Sequence, residues 1–461
     1  MRIFLVSVNR EVVPDPVAPL GISYIAGAAR SQGHEVALLD LCFSKHVEAD
    51  INRAVHRFAP DLIGISIRNV DNLTYPASVS FLGEIRAAVA ALVRASRAPI
   101  VAGGPGFSIF PERLLSFLGL EFGIIGEGEE TFCLLARYLE AGVEVPRLAN
   151  LIRRRENAGI VVRNVAPFVG NGRPARDLLD NARYLELGGM ANLQTKRGCP
   201  FRCIYCTYPH IHGSSLRLRP PAEVGAELAS MVEEAALDEV FFVDDVFTWP
   251  HDHAMAICEE IVARRLRVGW TCFATPLGMT SDLAWAMKRA GCRGVEFGTD
   301  TASPAMLRSL GKPFGLEDIR RASRACSEAG LPAAHYLIFG GPGETAETLA
   351  ETFAFFDDLK PRAVLAFLGI RIYPNTPLHG CAISDGVIAE GDDLLPPRFY
   401  LSPGLEVNEL IAAVGSHAEA RPSWVVPGLG IRSGPDLLAR LRRTRQRGPL
   451  WDLLPHSPRR R

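Results

Sequence analysis

The stretch Lys196-Arg197-Gly198-Cys199-Pro200-Phe201-Arg202-Cys203-Ile204-Tyr205-Cys206 governs how this chain is read. Its cysteines follow the spacing C-x3-C-x2-C, with an aromatic residue just before the last. Three thiolates on so short a loop can hold three corners of a [4Fe–4S] cube. Four cysteines are the usual complement for such a cluster, so the fourth iron is left open to a substrate or cofactor. The alternative is a structural zinc site, which pairs one C-x2-C with a second Cys or His pair. His210 and His212 follow the motif and could complete one. The other cysteines are scattered singly along the chain.

Composition narrows the class. A chain of 461 residues, 48% of them hydrophobic, can bury at least two sizeable cores. A net charge of −1 supplies no basic field for nucleic acid. No apolar run approaches the length of a membrane span, and Met1–Val8 is too short for a signal peptide and reads as a strand. Ten cysteines without a paired framework suit a reducing compartment. The expectation is a cytoplasmic protein with no membrane span and no nucleic-acid partner.

Over residues 1–145, short apolar runs alternate with amphipathic stretches. Strands are expected at Arg2–Val8, Glu35–Leu39, Leu62–Ile67, Pro99–Ala102 and Phe122–Ile125. Helices are expected near Gly21–Gln32, Ala49–Phe58, Leu82–Ala95, Pro111–Phe117 and Glu129–Ala141. That alternation is α/β and implies a doubly wound parallel sheet, Rossmann-like, which binds ligands beyond the carboxyl ends of its strands. Residues 146–186 read as a linker with a small hairpin around 153–160. A second alternation over 187–400 predicts strands at Asn192–Lys196, Glu239–Val243, Gly269–Ala274, Gly294–Gly298, Ala333–Phe339 and Ala363–Leu368. Residues 401–461 form a Pro-rich tail with arginine runs and no readable motif.

The cysteine pattern resembles that of the radical S-adenosylmethionine (SAM) enzymes, and six βα units suit their partial (βα)6 barrel. The resemblance implies that SAM chelates the open iron and that Tyr205 lies beside the adenine. It also implies that Asp244 and Asp245, ending the second barrel strand, face SAM; helix capping before Pro250 is the plainer alternative. Asp300, in Gly298-Thr299-Asp300-Thr301, takes the place of a glutamate that approaches SAM in relatives, and is one methylene shorter. Gly340 and Gly341, in Phe339-Gly340-Gly341-Pro342-Gly343-Glu344, resemble the family's fifth-strand glycine motif, where backbone approaches the adenine closely.

The amino-terminal domain resembles the cobalamin-binding domain of B12-dependent radical SAM proteins. The matching pieces, in the expected order, contain Leu20 and Gly21, Ser66, Gly103 and Gly104, and Gly126, Glu127 and Gly128. These imply contacts to cobalamin. No Asp-x-His-x-x-Gly string provides a histidine for cobalt, and Gly106 stands where relatives often carry His. Arg68 is the candidate for the lower corrin face, because a guanidinium cannot ligate a metal; a surface-loop arginine is the plain alternative.

The resemblance therefore implies a cobalamin-dependent radical SAM methyltransferase. Its expected cofactors are a [4Fe–4S] cluster, SAM and cobalamin, and its electron donor a flavodoxin or ferredoxin. The chemistry expected is methylation of an unactivated carbon, or phosphorus, of a small molecule or natural-product intermediate, by way of a 5′-deoxyadenosyl radical and methylcobalamin. A cyclase or rearrangement enzyme using the same parts, and a non-catalytic corrinoid sensor, remain as alternatives. Tyr336, Arg371 and Tyr373 lie near strand ends, but such residues belong to core or rim more often than to catalysis, and they receive no role.

Overall fold

The computed structural model describes residues 1–154, 173–233, 236–443 and 448–453. The expected hairpin around 153–160 and the last arginines lie mostly outside these residues. Two compact units emerge. One comprises Met1–Asn72, Val79–Arg183 and Thr207–Arg217; the other comprises Leu73–Ser78, Tyr184–Cys206 and Leu218–Arg461. The short piece Thr207–Arg217, which the sequence groups with the second alternation, packs with the first unit: its helix Tyr208–Ile211 lies against the helix Pro105–Ile109.

The first unit is built on β1 (Arg2–Ser7), β2 (Glu35–Asp40), β3 (Leu62–Ser66), β4 (Ile100–Gly103), β5 (Phe122–Ile124) and β6 (Leu151–Arg153). Their order is β2-β1-β3-β4-β5-β6. All neighbours pair in parallel except β5 with β6. The first five strands are those expected; β6 is an antiparallel edge strand inside the segment read as linker. Runs such as Ile3-Phe4-Leu5-Val6 are buried on both faces, as a helix-covered parallel sheet requires. The strand order reverses between β1 and β3, the switch point where doubly wound sheets take ligands.

The second unit carries β7 (Ala191–Leu193), β8 (Glu239–Phe242), β9 (Gly269–Ala274), β10 (Cys292–Asp300), β11 (Ala333–Phe339), β12 (Ala363–Leu368) and β13 (Trp424–Val425). The order is β13-β12-β11-β10-β9-β8-β7, every pair parallel. Six strands match the expected series. The seventh lies in the segment read as tail, preceded by the helix Val407–Glu419, so 407–425 is one further βα unit. Helices Pro221–Glu233, His251–Ala263 and Ser281–Arg289 cover one face, where Val240, Phe242, Trp270, Val295 and Phe297 form the core with Ile257 and Met287.

Candidate functional site

The cysteine loop leaves β7 through Gln194–Arg197 and turns at Gly198, whose φ of +91° favours glycine. Asp244, two residues past β8, holds that approach. Its Oδ1 accepts from the backbone N–H groups of Thr195 (2.6 Å) and Lys196 (3.2 Å), and its Oδ2 accepts from Thr195 Oγ1 at 2.5 Å. Lys196 Nζ stands 3.2 Å from the same Oδ2 and donates to the Phe247 carbonyl at 2.8 Å. Asp244 has no exposed surface. Its carboxylate is engaged by Thr195 and Lys196, and it ties the end of β8 to the start of the loop. Asp245 beside it is partly exposed.

Farther along, Ile204 N–H donates to the Leu310 carbonyl at 3.2 Å and the Ile204 carbonyl accepts from Leu378 N–H at 2.9 Å. Gly311 permits this contact. At φ +69°, a Cβ there would stand 2.6 Å from the Arg202 carbonyl oxygen. The loop is thus pinned from three sides. Cys199 is buried, and Cys203 and Cys206 are partly exposed. Burial pushes the Cys199 thiol up to about 11, against a backbone hydrogen bond, and pushes Cys203 up in spite of the Lys312 ammonium beside it. Metal binding would therefore release protons from these thiols.

Beneath the loop sits a buried charged group that the sequence reading lacks. β10 bulges between Gly298 and Asp300, leaving Asp300 at φ +66°. Its Oδ2 accepts from the Tyr205 hydroxyl and from Lys312 Nζ, the latter at 2.7 Å. Burial alone would lower Lys312, but Asp300 and then Cys203 outweigh it and the net direction is up. The structure brings Tyr205, Asp300 and the cysteine loop together, with Lys312 as their link. No local pattern in the sequence joins Lys312 to Cys203; only the turn at Gly311 marks its place.

The glycine motif is held by its own neighbours in the fold. Glu344 Oε2 accepts from the N–H groups of both Gly340 and Gly341, the second at 3.2 Å. The Gly340 carbonyl accepts from Ser402 N–H at 2.9 Å, and the Gly341 carbonyl from Glu344 N–H at 3.0 Å. Cβ atoms on these residues would meet Leu401 at 2.8 Å and Met306 at 3.0 Å. Both glycines therefore approach the protein's own side chains closely. Burial pushes Glu344 up to about 7, against those two hydrogen bonds.

In the first unit, the carboxyl ends of β3, β4 and β5 and the turns that follow them carry Ser66, Arg68, Gly103, Gly104, Gly126, Glu127 and Gly128. Leu20 and Gly21 open the helix Leu20–Ser31. Gly104 has φ +99°, and a Cβ there would lie 2.6 Å from the Ile67 carbonyl oxygen. Gly126 has φ +67° and donates its N–H to Ser108 Oγ at 2.8 Å. Gly106 is compelled by its surroundings: a Cβ would stand 3.0 Å from the Arg68 carbonyl oxygen and from Asn69 N and Cα. Arg68 Nε donates to Asn69 Oδ1 at 3.2 Å, and the two residues line an open cavity with Asn9, Arg10, Phe81 and Glu84 at the β1/β3 switch point. The Glu127 carboxylate accepts from both Arg217 Nη atoms, one at 2.7 Å.

The B12 binding domain family matches residues 6–136, and the radical SAM superfamily matches residues 193–356. The radical SAM methyltransferase TsrM of Kitasatospora setae, solved with tryptophan and a SAM analogue, superposes with a TM-score of 0.86 at 26% identity, over 97% of this chain and 96% of that one. This chain is a B12-binding-domain radical SAM protein. A second TsrM structure, with cobalamin and a [4Fe–4S] cluster bound, superposes with a TM-score of 0.82 at 25% identity, over 92% of this chain and 90% of that one. An uncharacterized methyltransferase of Pyrococcus horikoshii is 29% identical over 84% of each chain.

The donor set of this radical SAM protein suits a cluster with one open iron. It provides three thiols on one pinned loop, while Cys258, Cys272, Cys292 and Cys326 are locked in the core of the barrel sheet. Among the described residues, no three His, Cys, Asp or Glu side chains converge as a single ion requires. No helix among them is long and apolar enough to cross a membrane.

Proposed function

We propose that this protein is a cobalamin-dependent radical SAM methyltransferase that methylates an unactivated carbon or phosphorus centre of a small molecule. The observation that carries the reading is the joint presence of a three-thiol loop with no fourth cysteine and a doubly wound sheet with glycine turns at its switch edge. Likeness to TsrM along nearly the whole chain supports it.

Cys199, Cys203 and Cys206 would hold the [4Fe–4S] cluster, with SAM at its open iron. When bound, the cluster and SAM supply one-electron chemistry at a sulfonium, and cobalamin supplies a carrier for a methyl group. The protein's own residues orient and protect. Asp244 and the turn at Gly311 fix the loop. Lys312 sets a positive charge beside Cys203, and Asp300 with Tyr205 fixes that ammonium. Tyr205, Asp244, Asp245, Asp300, Gly340 and Gly341 are the groups proposed at SAM. Leu20, Gly21, Ser66, Gly103, Gly104, Gly126, Glu127 and Gly128 are proposed at cobalamin, with Arg68 at its lower face. A reducing cytoplasm and a flavodoxin or ferredoxin donor follow from the family resemblance.

The test uses SAM with a deuterated methyl group and the anaerobically loaded protein under reductant. The reading expects the label in the corrinoid extracted from the protein, measured by mass spectrometry. An unlabelled corrinoid, with SAM consumed, would leave a radical SAM enzyme of another reaction type.

A further inference from the structure

The strands β8 to β12 present a second set of side chains that the cysteine loop does not use. Successive residues alternate between the two faces of a sheet. Phe242, Phe297, Leu337 and Ala366 point to the helices and are fully buried, whereas Phe241, Phe273, Tyr336 and Phe367 on the opposite face are partly exposed. These four make a continuous aromatic wall. Phe241 meets Phe273 edge-on at 4.9 Å, Phe273 meets Tyr336 edge-on at 6.3 Å, and Tyr336 lies parallel to Phe367 at 6.1 Å.

One layer down the same strands, the face already holds a flat ring. Trp451, from the turn Leu450–Leu453, packs its indole with Ala334, Ala363 and Leu365. A Cβ on Gly294 would stand 2.9 Å from that ring, so glycine makes its room. Arg362 fastens the turn by donating to Asp452 Oδ1 at 2.5 Å. Glu296 joins the two layers: its Oε1 accepts from Trp451 Nε1 at 2.8 Å and its Oε2 from the Tyr336 hydroxyl at 2.9 Å. Burial pushes the Glu296 carboxyl upward against these two donors.

We propose that this wall is a specificity site for a planar apolar ring of the substrate, and that Tyr336, positioned by Glu296 and Trp451, determines that specificity. The inference rests on the protein being an enzyme for small molecules and deepens that reading. With its hydroxyl engaged by Glu296, Tyr336 offers the site its ring. Aromatic walls discriminate in favour of flat partners by edge and offset stacking, worth about 0.5–1.5 kcal/mol per pair beyond buried area. An aromatic wall also attracts cations, which makes charge a discriminating variable.

The experiment measures equilibrium binding to the full chain loaded with iron, sulfide and cobalamin, without turnover. The probes are indole, cyclohexylmethanol and tetramethylammonium. Indole is the choice because the same face already packs the indole of Trp451. Indole is expected to bind at least tenfold tighter than either other probe. Phe273→Leu and Tyr336→Leu should each weaken it by roughly 2- to 12-fold, the stacking figure converted to affinity. Trp451→Phe, which keeps a ring but removes the donor to Glu296, should weaken it less. Iron and cobalt contents report whether each variant is intact. Equal binding of indole and cyclohexylmethanol, tighter binding of tetramethylammonium, or indole binding untouched in both leucine variants would overturn the proposal. Because no methyl transfer is read, its failure is separable from failure of the methyltransferase reading.

Discussion

Asp244→Asn isolates one buried charge. The asparagine oxygen can still accept from the Thr195 and Lys196 backbone N–H groups, which Asp244 Oδ1 receives at 2.6 and 3.2 Å. Thr195 Oγ can turn to accept from the new amide. What has no replacement is the negative charge 3.2 Å from Lys196 Nζ, in a pair whose side chains are 2% and 0% exposed. The ammonium keeps the Phe247 carbonyl and lies 5.2 Å from the centre of the Phe247 ring. Removing one partner of a buried pair costs about 3–5 kcal/mol, against a total stability on the order of 5–15 kcal/mol. At roughly 2 °C per kcal/mol for a large domain, the melting temperature of the barrel unit should fall by about 6 °C or more. Urea and thermal unfolding of the full chain, followed by circular dichroism, are the assays. Asp244→Asn with Lys196→Met should recover much of the loss, because the unpaired charge is then gone. A single variant within about 1 kcal/mol of the parent, or a double variant as damaged as the sum of its parts, would refute the argument.

Other predictions concern the same loop and the glycine motif. Replacing Cys199, Cys203 or Cys206 with alanine should abolish the visible absorption of the reconstituted cluster and leave cobalamin retention intact, and an unchanged iron content in any of the three would contradict the ligand set. Gly311→Ala, with its Cβ 2.6 Å from the Arg202 carbonyl at φ +69°, should lower iron retention and stability together, by about 1–3 kcal/mol for the latter; normal iron content would show that the loop is not pinned there. For Glu344, burial raises the folded pKa from 4.5 to about 7. The folded protein then binds the extra proton between those values, so stability contributed below pH 4.5 is lost as pH rises through about 7, by up to about 3 kcal/mol. Glu344→Gln should flatten that slope, and an unchanged slope would remove Glu344 as its source.

Much of the architecture was legible because its strands are apolar runs that alternate with helices carrying apolar faces. β13 was not: two residues, Trp424 and Val425, cannot express alternation, and their pairing with Val364 and Leu365 is a long-range event. The cysteine loop was visible because its three cysteines are close in sequence. Lys312 was not, since it reaches Cys203 only through the fold. Asp244 and the pair Gly340 and Gly341 were located by strand-end position, which is silent on which atoms are already engaged. Thr195, Lys196 and Glu344 engage them. Gly106 shows the converse case: its lack of a side chain reads as a missing cobalt ligand, while the structure explains it by the backbone of Arg68 and Asn69 passing at 3.0 Å.

The central claim is that one chain carries both an open cluster and a corrinoid. The direct measurement is anaerobic reconstitution with iron, sulfide and hydroxocobalamin, followed by metal analysis and an optical spectrum of the desalted protein. The account predicts about four irons and one cobalt per chain, the iron lost and the cobalt kept in the Cys203→Ala variant. About four irons with no retained cobalt would contradict it, and the methyltransferase reading would fall with the corrinoid.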